Sequence, residues 1–334
     1  MRIGRHDTDE RVLVIAEIGN NHEGSLERAC ELVEAAAAAG ADAVKFQTFR
    51  RAHFGNPADP ERWERLGRFE LSHDQFAELA GLAHARGLIF ASTPLDLDSA
   101  RFLAETADCL KIASGDSDFW PLLDVAAGSD RPLIVSTGLA DLDQVDRTVA
   151  FVEERRPGRR DLALLHCVAS YPAPPEEVNL RAIGLLAEEF PGWTVGYSDH
   201  TLGIDVAALA VAAGARIVEK HFTLDKQLSE FRDHQLSADP DDLHELVRRI
   251  REIEAVAGRA VKEVQPSERE YATALRRSIV AARDLSAGDR VGSADVTWLR
   301  PGGGLRPGRE DVVVGRTLVR DVPAGATLGA SDVR

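Results

Sequence analysis

The stretches DAVKFQT (residues 42–48) and DCLKIAS (residues 108–114) decide the fold of this chain. Side chains on an extended strand point alternately to its two faces. In the first stretch Val44 and Phe46 therefore share one face, and Ala43, Lys45 and Gln47 share the other. The second stretch repeats the arrangement, with Leu110 and Ile112 on one side and Cys109, Lys111 and Ala113 on the other. A surrounding layer of helices would bury the larger apolar face. Each opposite face then carries a lysine into the space that the strands enclose. The echo of GADAVKFQT (40–48) in TADCLKIAS (106–114) makes the two segments equivalent strand-helix units.

Further runs of the same kind flank these two. The candidate strands are VLVIAEI (12–18), AVKFQ (43–47), LIFAS (88–92), CLKIAS (109–114), PLIVST (132–137), LALLHCV (162–168), WTVGY (193–197) and RIVEKH (216–221). Helical patterns lie between them, among them SLERACELVEAAAAAG (25–40), HDQFAELAGLAHARG (73–87) and IDVAALAVAAGA (204–215). Several end in a glycine suited to a left-handed helix cap. Eight such units in about 250 residues predict an α/β fold of the (β/α)8 TIM-barrel kind, with a doubly wound open sheet as the alternative.

After the helical DLHELVRRIREIEAVAG (242–258) the pattern breaks. The polar RAVKEVQPSEREYATA (259–274), with Pro266, reads as a linker. Beyond it RDLSAGDRVGSADV (283–296) returns as RDVPAGATLGASDV (320–333), at an offset of 37 residues. Each copy is too short to bury a core alone, so the pair predicts a small pseudo-symmetric β-rich domain. The expected organisation is a barrel over 1–260, a linker over 261–275 and the small domain over 276–334.

Composition limits the partners. Of 334 residues 44% are hydrophobic and 28% charged, with a net charge of −15. That charge opposes sequence-independent binding to nucleic acid or to an anionic membrane surface. No apolar run approaches the roughly 20 residues of a membrane helix. The polar start, MRIGRHDTDERV, lacks the apolar core of a secretory signal and places the chain in the cytoplasm. Cys30, Cys109 and Cys167 have no paired spacing, which argues against a disulfide framework or a cysteine metal site.

Strand ends at the C-terminal face of a barrel are where chemistry is expected. The runs WTVGY and RIVEKH are followed or ended by His200 and His221. A lone imidazole there more often satisfies a carbonyl, whereas two on adjacent strands could hold a divalent metal with positions left for substrate. Two imidazoles fall short of a full ligand set. Lys45 and Lys111 fit either internal ion pairs with Glu17 or Asp116, or a cradle for phosphate and carboxylate. The hydroxyls of STP (92–94), SGDS (114–117) and STG (136–138) suit anionic oxygens but are equally common as structural caps. Glu17 is an inward carboxylate, readable as an acid or base and as the partner of Lys45.

Taken together, AEIGNNHEGS, KFQT, STP, KIASGD, STGL, LLHC with YPAP, YSDHTLG, EKHFT, RRSIVAARDL and LRPGGGL resemble, in this order, the sialic acid synthase family. These are phosphoenolpyruvate-condensing enzymes that make nonulosonic acids, and the resemblance runs from about residue 11 to the end. The tail is similar to the antifreeze-like, or SAF, domain of those synthases. The resemblance implies condensation of phosphoenolpyruvate with an open-chain amino-sugar aldehyde, and a domain-swapped homodimer. It implies a metal at His200 and His221, most often Mn²⁺ with Mg²⁺ or Co²⁺ as substitutes. It assigns Lys45, Ser92, Lys111, Ser114, Ser136 and Ser198 to phosphoenolpyruvate, with Asp116 nearby. Gln47, Tyr171 and Asp233 fall near the sugar, Arg300 is the arginine lent by the partner's tail, and Glu17 handles the proton of the water that adds at C2.

The match departs in places. In HCVASYPAP, Val168 and Ala169 stand where a threonine and an asparagine or serine are usual; Ser170 or a water could supply the missing donor. Asp116 replaces a glutamate, and DKQLSEFRDHQLS lacks the usual glycine-proline pair. The acceptor is therefore open between N-acetylmannosamine and another hexosamine. A metal-dependent pyruvate aldolase and a non-catalytic binding protein are the competing functions.

Overall fold

Eight parallel strands close on themselves in chain order: Leu13–Gly19, Ala43–Thr48, Ile89–Pro94, Cys109–Ile112, Leu133–Ser136, Leu162–Cys167, Thr194–Asp199 and Ile217–His221. Each overlaps its candidate run, and the closed circuit decides for the barrel over the open sheet. The structure is a computed structural model that describes residues 1–334. The chain divides into two compact units, Met1–Gly258 and Arg259–Arg334.

Alternation along the strands separates two apolar layers. Val44, Phe46, Leu110 and Ile112 join the helices in the larger core. Ala43, Cys109, Leu13, Ile15, Leu165 and Ile217 fill the barrel interior together with Met1 and Ile3. Helix termini follow local chemistry. Leu26–Ala39 starts at Ser25, whose hydroxyl accepts from the Arg28 N–H, and stops at Gly40 in a left-handed conformation. Gly196 is required by packing, since a Cβ there would lie 2.5 Å from the Ile217 carbonyl oxygen.

Between the second strand and its helix His73–Ala85 an insert adds two helices, Arg51–Phe54 and Pro60–Phe69. Leu66 and Phe69 anchor it in a satellite core with Phe49 and Phe231. The insert also approaches Gly24 so closely that a Cβ would lie 1.9 Å from the Arg68 carbonyl oxygen, where φ is +81° as well.

The second unit turns the sequence repeat into reciprocal hydrogen bonds. The Ala287 N–H donates to Asp321 at 2.7 Å, and the Ala324 N–H donates to Asp284 at 2.8 Å. Leu285 and Val322 exchange backbone bonds at 2.9 and 2.8 Å. Arg283 binds Asp295 as Arg320 binds Asp332. Each copy thus caps the other around a core of Ile279, Leu285, Val291, Leu318, Val322 and Leu328. Residues 261–275, expected as a linker, belong to this unit and carry the one-turn helices Pro266–Arg269 and Ala272–Leu275.

Candidate active site

Strand register assembles the site. Glu17 is the cross-strand partner of Lys45 on one side and of His221 on the other. Glu219 pairs across with Ser198. The inward parity of Glu17, Lys45, Lys111, Ser198, Glu219 and His221 brings all six to one end of the barrel, buried among one another.

The polar cluster is charge-balanced. Lys45 Nζ lies 2.7 Å from Glu17 Oε2 and 3.7 Å from Glu219 Oε2, and donates to Thr93 Oγ1 at 3.1 Å. Lys111 Nζ lies 3.7 Å from Glu219 Oε1, which also accepts from Ser198 Oγ at 2.9 Å. Desolvation is the main influence on every member. It pushes the Glu17 carboxyl up to about 7 against the pull of Lys45, with the Glu219 charge adding to the rise. For Glu219 the two ammonium groups and Ser198 outweigh desolvation and hold the carboxyl below its ordinary value. Burial lowers Lys111, while Glu17 and Glu219 overcome burial and raise Lys45.

His200 and His221 stand with ring centroids 5.4 Å apart. The His200 Nδ1–H donates to the Val168 carbonyl at 2.7 Å, which leaves the Nε2 lone pair uncommitted. His221 Nδ1 is buried without a protein partner. Burial lowers both imidazoles and keeps them neutral, the form a metal needs. The pair therefore fits a divalent cation. No third histidine, cysteine or carboxylate completes a protein cage around them, so remaining positions would fall to water and substrate oxygens.

Next to the imidazoles a cavity of about 1110 Å³ is lined by Asn20, Gln47, Tyr171, His221 and Asp233, with the insert helix Pro60–Phe69 along one wall. The Tyr171 ring lies 4.2 Å from that of His200. Gln47 Oε1 accepts from Asn20 Nδ2 at 2.7 Å, leaving the Gln47 amide N–H groups as donors. Burial raises the Asp233 carboxyl, with Arg232 and Arg65 pulling it back.

Other expected positions differ. Ser92 faces the outer layer, where its hydroxyl meets Thr48 Oγ1 at 2.7 Å and donates to the Phe46 carbonyl at 3.0 Å. Strand alternation gives the inward place to Thr93, on Lys45. Asp116 forms no ion pair with either lysine, and Lys111 finds Glu219 instead. Ser114 Oγ accepts from the Gly138 N–H at 3.1 Å and donates to Cys167 Sγ. Ser136 points inward with a buried hydroxyl that has no protein partner. Beside Ala169, the Ser170 hydroxyl donates to the Pro172 carbonyl at 3.1 Å. Arg300 lies in the second unit, exposed just after the strand Val296–Leu299.

Glu219 and Thr93 were missed in the sequence. The signal for Glu219 was the inward series Ile217, Glu219, His221 within IVEKH, read only at its last member.

Comparison with known proteins matches residues 32–262 to the NeuB family and residues 276–334 to the SAF domain. The N,N'-diacetyllegionaminic acid synthase of Legionella pneumophila is 41% identical, over 94% of this chain and 92% of that protein. The pseudaminic acid synthase of Campylobacter jejuni is 33% identical over 100% of both chains. A crystal structure of N-acetylneuraminic acid synthetase from Leptospira borgpetersenii superposes with a TM-score of 0.76 at 34% identity, covering 81% of this chain and 94% of that one.

Proposed function

The chain belongs to the NeuB family, and from that premise we propose that it condenses phosphoenolpyruvate with an open-chain amino-sugar aldehyde, yielding a nonulosonic 2-keto-3-deoxy acid and phosphate. One observation carries this reading: two buried ammonium groups, an unpartnered inward hydroxyl and two neutral imidazoles share one barrel mouth beside a large cavity.

Lys45 and Lys111 are the groups to neutralise the enol phosphate and carboxylate, with Ser136 and Ser198 as hydroxyl donors. The entering anion competes with Glu219 for both ammonium groups. His200 and His221 would hold a divalent cation, with Mn²⁺ the first expectation, which supplies Lewis-acid polarisation of the aldehyde. C3 of phosphoenolpyruvate forms the new bond to C1 of the acceptor, and C2 acquires oxocarbenium character. Water adds at C2 and its proton passes to Glu17, whose raised proton affinity near neutrality suits it to give the proton back. Collapse of the tetrahedral carbon breaks the C2–O bond to phosphate and leaves the ketone. Gln47, Tyr171 and Asp233 line the space for the sugar, and Arg300 is proposed to reach it from a partner subunit's tail in a homodimer. Holding two substrates and a water in line is chiefly an orientation effect.

The test is phosphate release from phosphoenolpyruvate with Mn²⁺ across a panel of hexosamines and related aldoses. Release that requires the aldehyde supports the reading. No release with any member of the panel overturns it.

A further inference from the structure

One wall of the cavity is built from a stretch without regular secondary structure. Residues 224–232, between the strand Ile217–His221 and the one-turn helix Asp233–Leu236, contain neither helix nor strand. The pose of Asp233 therefore depends on side-chain ties, and two of them lead to Glu23 in the loop after the first strand. Ser229 Oγ donates to Glu23 Oε1 at 2.6 Å and accepts from the Phe231 N–H at 3.1 Å, two residues before Asp233. His234 is 0% exposed, and its Nδ1 shares a 2.7 Å hydrogen bond with the Thr223 hydroxyl. Its Nε2, buried without a hydrogen-bond partner, faces the same Glu23 oxygen at 3.8 Å.

Glu23 is itself fixed to the scaffold. Its other oxygen accepts from Arg28 Nη1 at 2.8 Å, in the first turn of the helix Leu26–Ala39. The backbone at Glu23 is left-handed, with φ +48°, a conformation that a residue with a Cβ adopts at a cost. An ion pair with Arg28 alone gives no reason for that cost, nor for a carboxylate on the cavity wall, where Glu23, Ser229 and Asp233 all lie. Asn21 adds a parallel tie on the far side of Asp233. Its Nδ2 donates to Ser237 Oγ at 3.0 Å, and that hydroxyl donates to the Asp233 carbonyl. The loop after the first strand thus grips the Asp233 segment before and after the carboxylate, across the pairing of the first strand with the last.

We propose that Glu23 is a positioning residue for the condensation: by holding Ser229, and with it residues 224–232, it sets where Asp233 meets the acceptor. Glu23 acts through these neighbours and not on the reacting atoms. This rests on the condensation reading above, because it takes the cavity as the acceptor site.

The test uses the full chain, the variants Glu23→Ala, Ser229→Ala and Ser229→Thr, and the hexosamine that the wild type turns over fastest. In Glu23→Ala and Ser229→Ala, kcat/KM for the hexosamine should fall by roughly ten- to a hundredfold, the loss that a displacement of about 1 Å brings, while KM for phosphoenolpyruvate stays unchanged. The double variant should be no worse than Glu23→Ala, because both substitutions cut one tie. Ser229→Thr keeps the hydroxyl and should restore most of the activity. Hydrogen exchange on the free protein should be at least about tenfold faster for the amides of residues 223–236 in Glu23→Ala and Ser229→Ala, with those of the barrel strands unaffected. If Glu23→Ala fails to fold, Ser229→Ala and Ser229→Thr carry the comparison. Equal losses toward both substrates, additive losses in the double variant, or unchanged exchange in residues 223–236 overturn the proposal. Absence of phosphate release from the wild type with every hexosamine would sink the condensation reading alone, since the exchange rates still decide whether Glu23 holds the segment that carries Asp233.

Discussion

Replacing Lys220 by methionine should destabilise the barrel by about 3–5 kcal/mol, the cost of stripping one partner from a buried ion pair. Lys220 and Asp199 are both 0% exposed, and Nζ meets Oδ2 at 2.9 Å. Asp199 Oδ1 accepts from the Tyr197 hydroxyl and from both the N–H and the hydroxyl of Thr201, at 2.9 to 3.1 Å. Lys220 is the partner of Oδ2, and it also donates to the Thr201 carbonyl at 2.5 Å. Methionine fills the space but leaves a buried charge with one bare oxygen and a carbonyl without its donor. The double variant Asp199→Asn, Lys220→Met removes the charge and keeps only the unsatisfied polar groups, so it should lose roughly 1–3 kcal/mol. Urea unfolding of the full chain, followed by far-ultraviolet circular dichroism, reads the barrel because the long helices lie in residues 1–258. A loss below about 1 kcal/mol for Lys220→Met, or a double variant as damaged as the single, would refute the buried-charge argument. The two residues immediately precede His221 and His200, so the pair also ties together the strands that present both imidazoles.

Lys111→Ala should raise the KM for phosphoenolpyruvate at least tenfold, since it removes one of two cations facing the anion; unchanged kinetics would favour an aldolase that needs no phosphate cradle. Burial lowers His22 to about 4 from 6.5, with Arg28 adding to the effect. The unfolded chain therefore binds the extra proton first, so this contribution is complete above pH 6.5 and is lost as pH falls from 6.5 through 4, about 3 kcal/mol in all. Urea midpoints of wild type and His22→Asn should accordingly converge on acidification, and parallel curves would show that His22 is not the cause. Gly24→Ala should cost roughly 2–4 kcal/mol, because the added Cβ strikes the Arg68 carbonyl at a left-handed φ. A stability change within 0.5 kcal/mol would mean that the insert helix does not dock there.

Strand alternation was legible wherever one face was plainly apolar. The parity of DAVKFQT and DCLKIAS placed Lys45 and Lys111 inside, and the two core layers divide along that line. At STP the same alternation runs from Phe90 in the outer layer, which makes Ser92 outward and Thr93 inward. Asp116, expected as one possible ion-pair partner of the two lysines, leaves the strand in the 3-10 turn Ser114–Asp116 and pairs with neither.

Local periodicity and the repeated segment of the tail sufficed for eight strand-helix units and for a second, pseudo-symmetric unit, because alternation, helix caps and reciprocal turns depend on neighbours within one or two elements. Closure and register decided the rest. Glu219 serves both lysines only because the last strand pairs with the first and lays Glu17 beside His221. The helix Pro60–Phe69 lines the cavity only because Gly24 and Phe231, far away in sequence, fix its pose. Such contacts are settled by which distant segments pack together, and no short window of the chain contains that information.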